Sequence, residues 1–187
     1  MTFRHRQRGF TLGETMTTLA VVGIGLSLAV PGTQALVESN RQATAVNELV
    51  ATMHLARSEA LTRNRPVFVC ASADGEHCGN EHWERGWIAF LDENHDGTRD
   101  PGDLLLDAVG ALPGQELSSS EFPRAFSYRP NGRAMGATPQ QLSGEFAFCE
   151  PGADAAARVV IVRPNGLPAL AEKRRDGSLA PCRTSGA

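Results

Sequence analysis

The stretch GFTLGETMTTLAVVGIGLSLAVP, residues 9–31, decides how this chain is organised. It is almost uncharged, and its one ionisable side chain is the carboxylate of Glu14. As a helix rising about 1.5 Å per residue, Phe10 to Val30 would measure about 30 Å, which matches the hydrocarbon core of a bilayer. Residues 1–9, in front of it, are mainly polar and basic. The sequence therefore predicts a segment that enters a membrane or another apolar environment.

Three general interpretations compete for this stretch. A secretory signal peptide would be cut after Ser27-Leu28-Ala29, which is close to a small-x-small cleavage site, but this leaves Glu14 unexplained. A plain transmembrane anchor would carry a membrane-buried carboxylate at a cost of about 2.5–3.5 kcal/mol, so the carboxylate needs a partner. A buried helix of a globular protein conflicts with the basic residues in front, which instead suit the cytoplasmic flank of a membrane segment.

A fourth interpretation explains these features together. Residues Gly9–Leu12, followed by Glu14, resemble the processing site of type IV pilins and pseudopilins. The resemblance implies that a membrane peptidase cuts after Gly9 and methylates the new N-terminus at Phe10. It also implies that Glu14 pairs during assembly with the N-terminal amine of a neighbouring subunit, which makes a charge tolerable in an apolar environment. Gly13 departs from the family pattern, where an aliphatic residue is usual.

The chain divides into four predicted regions. Residues 1–9 form a cytoplasmic leader, 10–31 the transmembrane or filament-core helix, 32–65 its amphipathic continuation, and 66–187 a globular β-rich head with a C-terminal tail. Apolar residues recur at spacings of three, four and seven in the third region, which is typical of a helix packed on a sheet. Arg65, followed by a proline, is expected to end this helix.

Short β-rich runs separated by turn residues make up the head. The runs are Val67–Cys70, Gly86–Leu91, Leu104–Val109, Ala125–Arg129, Glu145–Cys149 and Arg158–Arg163. The sequence Arg-Pro-Asn-Gly occurs at Arg129–Gly132 and Arg163–Gly166 and predicts two hairpin turns, because proline presets the first turn residue while asparagine and glycine accept the left-handed conformation. The predicted fold class is α+β, a long N-terminal helix packed on a mostly antiparallel β-sheet head, as in type IV pilin-like folds.

A narrower resemblance runs over residues 9–110. Ala56–Ala60, Asn64–Val67 and Gly86–Ile88 are similar to the GspH/FimT family of minor pilins and pseudopilins. The resemblance implies a structural, assembly-priming subunit of a type IV pilus or a type II secretion pseudopilus. Its expected partners are other pilins or pseudopilins, the prepilin peptidase and N-methyltransferase, and the bacterial inner membrane, crossed once with the head in the periplasm. The sequence shows no catalytic constellation, so no enzyme is predicted.

The four cysteines, Cys70, Cys78, Cys149 and Cys182, are expected to form disulfides in an exported head. Four cysteines allow three pairings. Cys70 and Cys78 enclose a turn-rich segment, which favours a local bridge and leaves Cys149 with Cys182. A zinc site that includes a nearby histidine is the alternative, but the sequence lacks the C-x-x-C spacing of common zinc sites.

The segment 92–103 has the spacing of an EF-hand calcium loop, D-x-[DN]-x-[DN]-G. Its predicted oxygen donors are Asp92, Asn94, Asp96, Thr98, Asp100 and Asp103. Ca²⁺ is the one cofactor that the sequence suggests, and none is required. Two features depart from the pattern, because β-rich runs flank the segment and Asp103 stands where glutamate is usual. The alternative is an acidic hairpin loop, since Asp, Asn and Gly are common turn residues.

Charge limits the range of partners. The formal net charge is −3 and becomes −6 once the three arginines of the leader are removed, so the mature chain is a poor general binder of nucleic acid. Some family members on the pilus side are associated with DNA uptake through basic residues near the C-terminus. The candidates here are Lys173, Arg174, Arg175 and Arg183. The Gly-Arg-x-Arg sequence expected after Gly166 is absent, so DNA binding is the alternative function.

Overall fold

One long helix and a set of short strands make up the structure. The computed structural model describes residues 9–79, 81–94, 96–149, 158–171, 173–174 and 177–178, and side chains in these except for 26–36. Within this part, the elements are α1 Leu12–Arg63, β1 Val67–Ala71, a 3-10 helix Trp83–Arg85, β2 Trp87–Leu91, β3 Leu104–Val109, β4 Glu116–Ser118, β5 Ala125–Tyr128, β6 Ala134–Met135, β7 Gly144–Cys149, β8 Arg158–Val162 and β9 Pro168–Ala171. The predicted α+β class is confirmed.

The helix α1 begins and ends at residues whose chemistry explains both limits. Thr11 stands just before the first helical residue, and its hydroxyl accepts the backbone N–H of Glu14 at 3.3 Å, as an N-cap does. At the other end, Asn64 has a φ of 53°, the left-handed conformation that commonly terminates helices. Pro66 follows and cannot continue the helix. The helix therefore stops just before the predicted limit at Arg65.

The chain forms two units, residues 1–41 and 42–187. In the first unit, the described side chains of α1 up to Gly25 are all exposed. Over the residues that the structure describes, no helix combines enough length with enough apolar character to cross a membrane. In the second unit, α1 buries one face, on which Leu49, Met53 and Ala56 are completely enclosed.

The strands form two antiparallel sheets, ordered β3-β2-β1-β5-β6 and β4-β7-β8-β9. Every strand pair within the described residues is antiparallel, which agrees with the predicted mostly antiparallel head, although the strands are divided between two sheets. β1 lies at the centre of the first sheet, where Val67 pairs with Leu91 of β2 and with Tyr128 of β5. As a result, the connection after β2 and the turn after β5 leave the sheet at the same end, on either side of β1.

The second part of α1 and both sheets share one apolar core. At its centre, the ring of Trp83 packs edge-on against Phe146, with the ring centroids 5.0 Å apart. The indole N–H of Trp83 donates to the carbonyl of Phe122 at 2.9 Å, and that of Trp87 donates to the hydroxyl of Thr52 at 3.0 Å. Both tryptophans are fully buried, so these hydrogen bonds remove the cost of enclosing an unpaired N–H group.

The outer face of the first sheet carries a second apolar cluster. Cys70, Ile88 and Phe90 are buried there, and Phe68 stacks on Phe90 with centroids 5.9 Å apart. Consecutive residues of a strand point to opposite faces, so these side chains cannot reach the core beneath α1. The first sheet therefore needs a cover on both faces.

Two loops supply that cover. The loop after β1 is tied to the sheet by a disulfide between Cys70 and Cys78, which confirms the local bridge predicted from the sequence. From the other end of the sheet, the acidic segment 92–103 places Gly97 against the ring of Phe68, where an added Cβ would lie 3.2 Å from a ring carbon. The acidic segment is thus also a packing element.

Asp74 organises the loop that the disulfide closes. Its Oδ1 accepts the backbone N–H groups of His77 at 2.9 Å and of Glu76 at 2.8 Å. These hydrogen bonds, that of His77 first, hold the pKa of the Asp74 carboxyl well below its usual range. The hydroxyl of Ser72 also donates to Oδ1 at 3.1 Å, so the loop has local order in addition to its disulfide.

Replacing both Cys70 and Cys78 with alanine is expected to lower the free energy of unfolding by about 2.5 kcal/mol, the value for closing a loop of this short length. The measurement is urea unfolding, followed by the fluorescence of the buried tryptophans. Glu76→Ala, an exposed change in the same loop, serves as the control and should stay within about 0.5 kcal/mol of the original chain. An unchanged urea midpoint in the double alanine variant would contradict the role given to the bridge.

Candidate assembly and processing site

The predicted cleavage site lies immediately before the first turn of α1. The peptide bond between Gly9 and Phe10 precedes the helix, which starts at Leu12, and Phe10 is 80% exposed. Among the described residues outside its immediate chain neighbours, no atom comes within 4 Å of the place that a side chain at Gly9 would take. A bond that is exposed and outside helical hydrogen bonding is open to a peptidase.

Glu14 has a capped backbone and an available carboxylate. Its N–H donates to the hydroxyl oxygen of Thr11 at 3.3 Å and to the carbonyl oxygen of Thr11 at 3.1 Å. Thr-x-x-Glu is the capping-box sequence, and a carboxylate in the first turn interacts favourably with the helix dipole. The Glu14 side chain is exposed and forms no ion pair within the described part of the chain. It can therefore accept a cation from another molecule.

The threonines around Glu14 satisfy their own hydrogen bonds. The hydroxyls of Thr17 and Thr18 both donate to the carbonyl of Glu14 at 3.0 Å, and that of Thr15 donates to the carbonyl of Thr11 at 2.9 Å. A hydroxyl that is bonded within its own helix needs no water when the helix enters an apolar environment. These polar residues are therefore compatible with burial of the segment.

Large apolar side chains cover the same segment and are open to solvent. Each is at least 55% exposed. They are Phe10, Leu12, Met16, Leu19, Val21, Val22 and Ile24. A continuous apolar surface of this kind marks a contact with another protein or with lipid. The segment thus combines an apolar surface with one carboxylate that forms no ion pair among the residues described.

The acidic segment 92–103, the predicted calcium loop, is held by hydrogen bonds of its own. Asp92 is fully buried, and its carboxylate accepts the N–H of Gly97 at 2.9 Å. Asp103 is also buried and accepts two further backbone N–H groups of the segment, at 2.9 and 2.8 Å. These bonds follow the turn chemistry that short acidic side chains favour.

The other predicted calcium donors also bond to one another. The side-chain amide of Asn94 donates to the carboxylates of Asp96 and Asp100 at 3.0 and 2.9 Å, and the N–H of Thr98 donates to Asp96 at 2.7 Å. Across the described ranges, no group of three or more His, Cys, Asp or Glu side chains is placed to hold a metal ion. Calcium binding stays a prediction from the sequence.

The basic tail is described only in part. Lys173 is exposed, whereas Arg174 is partly buried and donates to the carboxylate of Glu145 at 2.9 Å, with a second glutamate at 3.5 Å. Arg175 and Arg183 lie outside the described residues. Arg174 is thus engaged within the head, and DNA binding by the tail stays a prediction.

The second predicted disulfide is also described in part. Cys149 is disulfide-bonded, and its predicted partner, Cys182, lies outside the described residues. Free thiols, which the zinc alternative would need, are not found in the described part of the chain. The pairing of Cys149 with Cys182 stays a prediction.

Sequence reasoning missed two contacts of this region. The first is the cap by Thr11, although its signal, threonine three residues before glutamate, is present in the sequence. The second is the ion pair between Arg174 and Glu145, which joins residues far apart in the chain and has no local signal.

Two sequence families match the chain. The family described as Type II transport protein GspH matches residues 45–166, which include the second part of α1 and most of the strands. The prokaryotic N-terminal methylation motif matches residues 4–30, which include Gly9, Phe10 and Glu14. No curated protein sequence matches the chain.

Two crystal structures share the fold, and both are of the type IV minor pilin FimU from Pseudomonas aeruginosa. The first is 19% identical, covers 74% of this chain and 92% of the FimU chain, and has a TM-score of 0.55. The second, from another crystal form, is 20% identical, covers 69% and 91%, and has a TM-score of 0.53. At these identities the likeness concerns the fold, an N-terminal helix on antiparallel sheets.

Proposed function

The chain belongs to the type II transport protein GspH family of pilin-like proteins, and on that basis we propose that it is a minor pilin or pseudopilin that helps to start a filament. The filament is a type IV pilus or a type II secretion pseudopilus. The role is structural, and the chain takes part in chemistry only as a substrate. A prepilin peptidase cuts after Gly9, and the new N-terminus at Phe10 is methylated.

One observation carries this proposal, namely the carboxylate of Glu14 within residues 10–25, where the other large side chains are apolar and exposed. In a filament core or a membrane, a lone carboxylate is costly, whereas a carboxylate paired with a cation is tolerated. Cleavage after Gly9 creates such a cation at Phe10, because the new amine is protonated near neutral pH. Methylation of an amine keeps its charge. The amine of one subunit therefore pairs with Glu14 of its neighbour.

The proposed location is the inner membrane, with the head in the periplasm, until the subunit enters the filament. Two observations support this orientation. Arg4, Arg6 and Arg8 in the leader favour the cytoplasmic side. The disulfide between Cys70 and Cys78 suits an oxidising compartment for the head. The proposed partners are other pilin-like subunits and the prepilin peptidase with its N-methyltransferase activity.

The N-terminus of the mature protein tests the proposal directly. Mass spectrometry of the chain purified from its own cells is expected to find a start at N-methylated Phe10. Gly9→Val should keep the leader, because a β-branched residue replaces the glycine at the cleaved bond. Gly13→Ala is the matched control and should be processed normally, since the place of the added methyl group is open. A start at Thr2, or near Val30, would contradict the proposed function.

A further inference from the structure

The two Arg-Pro-Asn-Gly turns of the head touch each other. The first joins β5 to β6 and the second joins β8 to β9, so they belong to different sheets. A side chain at Gly166 would overlap the carbonyl oxygen of Gly132, which shows that the two backbones are in direct contact. The guanidinium group of Arg133 also donates to the carbonyl of Pro164 at 3.1 Å. The turns thus form one surface, the twin-turn face, made of residues 129–133 and 163–166.

Four arginines belong to the twin-turn face or contact it. They are Arg57, Arg129, Arg133 and Arg163. Arg57 of α1 donates to the carbonyl of Gly132 at 3.0 Å, and Arg129 donates to the sulfur of Met135 at 3.1 Å. The acceptors of these groups, like that of Arg133, carry no charge. Within the described residues, none of the four arginines forms an ion pair.

Four arginines are grouped on this face although the formal charge of the whole chain is negative. Two arginines elsewhere in the head are matched to glutamates, Arg65 to Glu93 at 2.7 Å and Arg174 to Glu145 at 2.9 Å. Grouped cations without counter-charges repel one another, and an anion brought to them removes that repulsion. Guanidinium groups bind carboxylates and phosphates through paired hydrogen bonds. The twin-turn face therefore has the chemistry of an anion-binding surface.

The neighbourhood of the face favours a protein partner over a nucleic acid. The acidic segment 92–103 leaves the first sheet at the same end as the first turn, because Val67 of the central strand pairs with both Leu91 and Tyr128. This end of the head thus presents negative charge beside positive charge. A nucleic acid is negative along its whole length and is repelled by the acidic segment. A protein surface with charges of both signs can match the two together.

We propose that the twin-turn face docks a carboxylate-bearing surface on the head of a neighbouring pilin-like subunit. This inference rests on the proposed function, because it needs heads that lie side by side in a filament. The face lies where α1 ends, so it belongs to the end of the head farthest along the helix from Gln42. Contact between heads at this end adds selectivity to the association of the apolar helices, because a neighbour without matching carboxylates leaves the arginines unpaired.

The first test reverses charge in the full chain, in its own cells. Arg133→Glu with Arg163→Glu is expected to lower the amount of chain recovered with sheared filaments at least tenfold. The matched control is Arg85→Glu with Arg124→Glu, two exposed arginines at the opposite end of the first sheet, and should stay within twofold. Equal recovery of the two variants would overturn the inference. An N-terminus that is unprocessed in the original chain would overturn the proposed function instead.

The second test identifies the partner atom. The variant Arg133→Lys with Arg163→Lys keeps the charge and adds two primary amines. A water-soluble carbodiimide joins these amines to nearby carboxyl groups as amides, and the carbodiimide is itself hydrated to a urea. A cross-link from residue 133 or 163 to an Asp or Glu of another pilin-like subunit supports the inference. The absence of any such cross-link in intact filaments would overturn it. Retention of the original chain by a short DNA duplex, lost in the double Glu variant, would also overturn it, in favour of a nucleic acid.

Discussion

Replacing Glu14 with glutamine is expected to remove the chain from assembled filaments and to leave cleavage after Gly9 intact. The change keeps the size of the side chain and the hydrogen bond from the backbone N–H of residue 14 to the hydroxyl of Thr11. It removes only the charge. In the apolar core, the amine of the neighbour would then lie buried without a counter-ion, which costs about 3–5 kcal/mol. Since about 1.4 kcal/mol is a factor of ten, incorporation should fall at least a hundredfold.

The amount of chain in the sheared filament fraction, relative to the membrane fraction, measures this effect. Glu38→Gln is the matched control, because Glu38 lies in the same unit and its pair with Arg41, at 3.7 Å, is a surface contact. Glu14→Asp keeps the charge on a shorter side chain and should retain part of the incorporation. Normal filament incorporation of the glutamine variant would contradict the role of Glu14.

Replacing Gly166 with alanine is expected to destabilise the head by about 2–5 kcal/mol. The φ of Gly166 is 80°, and a non-glycine residue in this conformation loses about 1–2 kcal/mol. The new methyl group would also overlap the carbonyl oxygen of Gly132 and press on the ring of the buried Tyr128. The backbone of Gly132 and the ring of a buried tyrosine leave little room for relaxation, so overpacking adds about 1–3 kcal/mol.

Gly114→Ala separates the two contributions. Gly114 has a φ of 72°, and nothing lies within 4 Å of the place that its methyl group would take. This variant should therefore show only the loss due to backbone conformation, about 1–2 kcal/mol. Both free energies are measured by urea unfolding of the purified chain. Equal losses in the two variants would show that the contact between the turns does not stabilise the head.

The elements that the sequence predicts well are those with local signals. The helix stop was predicted from Arg65 and the proline after it, and the left-handed Asn64, found in the structure, ends α1 within the same turn. The two Arg-Pro-Asn-Gly sequences do form turns between antiparallel strands, because their residues set the backbone conformation locally. β4, β6 and β9 were missed, since strands of two to four residues show no alternation and β9 begins with a proline.

Local sequence signals do not predict contacts between segments that lie far apart in the chain. Nothing near Gly132 indicates that it touches Gly166, and that contact alone turns scattered arginines into one surface. In the acidic segment the local signal is present but ambiguous, because its Asp, Asn and Gly residues fit both a calcium-binding pattern and a turn pattern. In the structure, Asp92 and Asp103 accept backbone N–H groups. Residue type and spacing alone could not separate these two uses.

The bridge between Cys70 and Cys78 connects the stability of the head to the compartment that the head occupies. Thiols are kept reduced in the cytosol, so with the head in the proposed periplasmic location this bond forms only after export. Without the bridge, the loop that packs beside Ile88 and Phe90 would depend on hydrogen bonds, such as that from the N–H of Gly79 to the carbonyl of Ala71 at 2.7 Å. A subunit whose head stays in the cytosol would therefore have a less stable cover on the outer face of the first sheet. Cytosolic proteases could degrade such a subunit before it reaches a growing fibre.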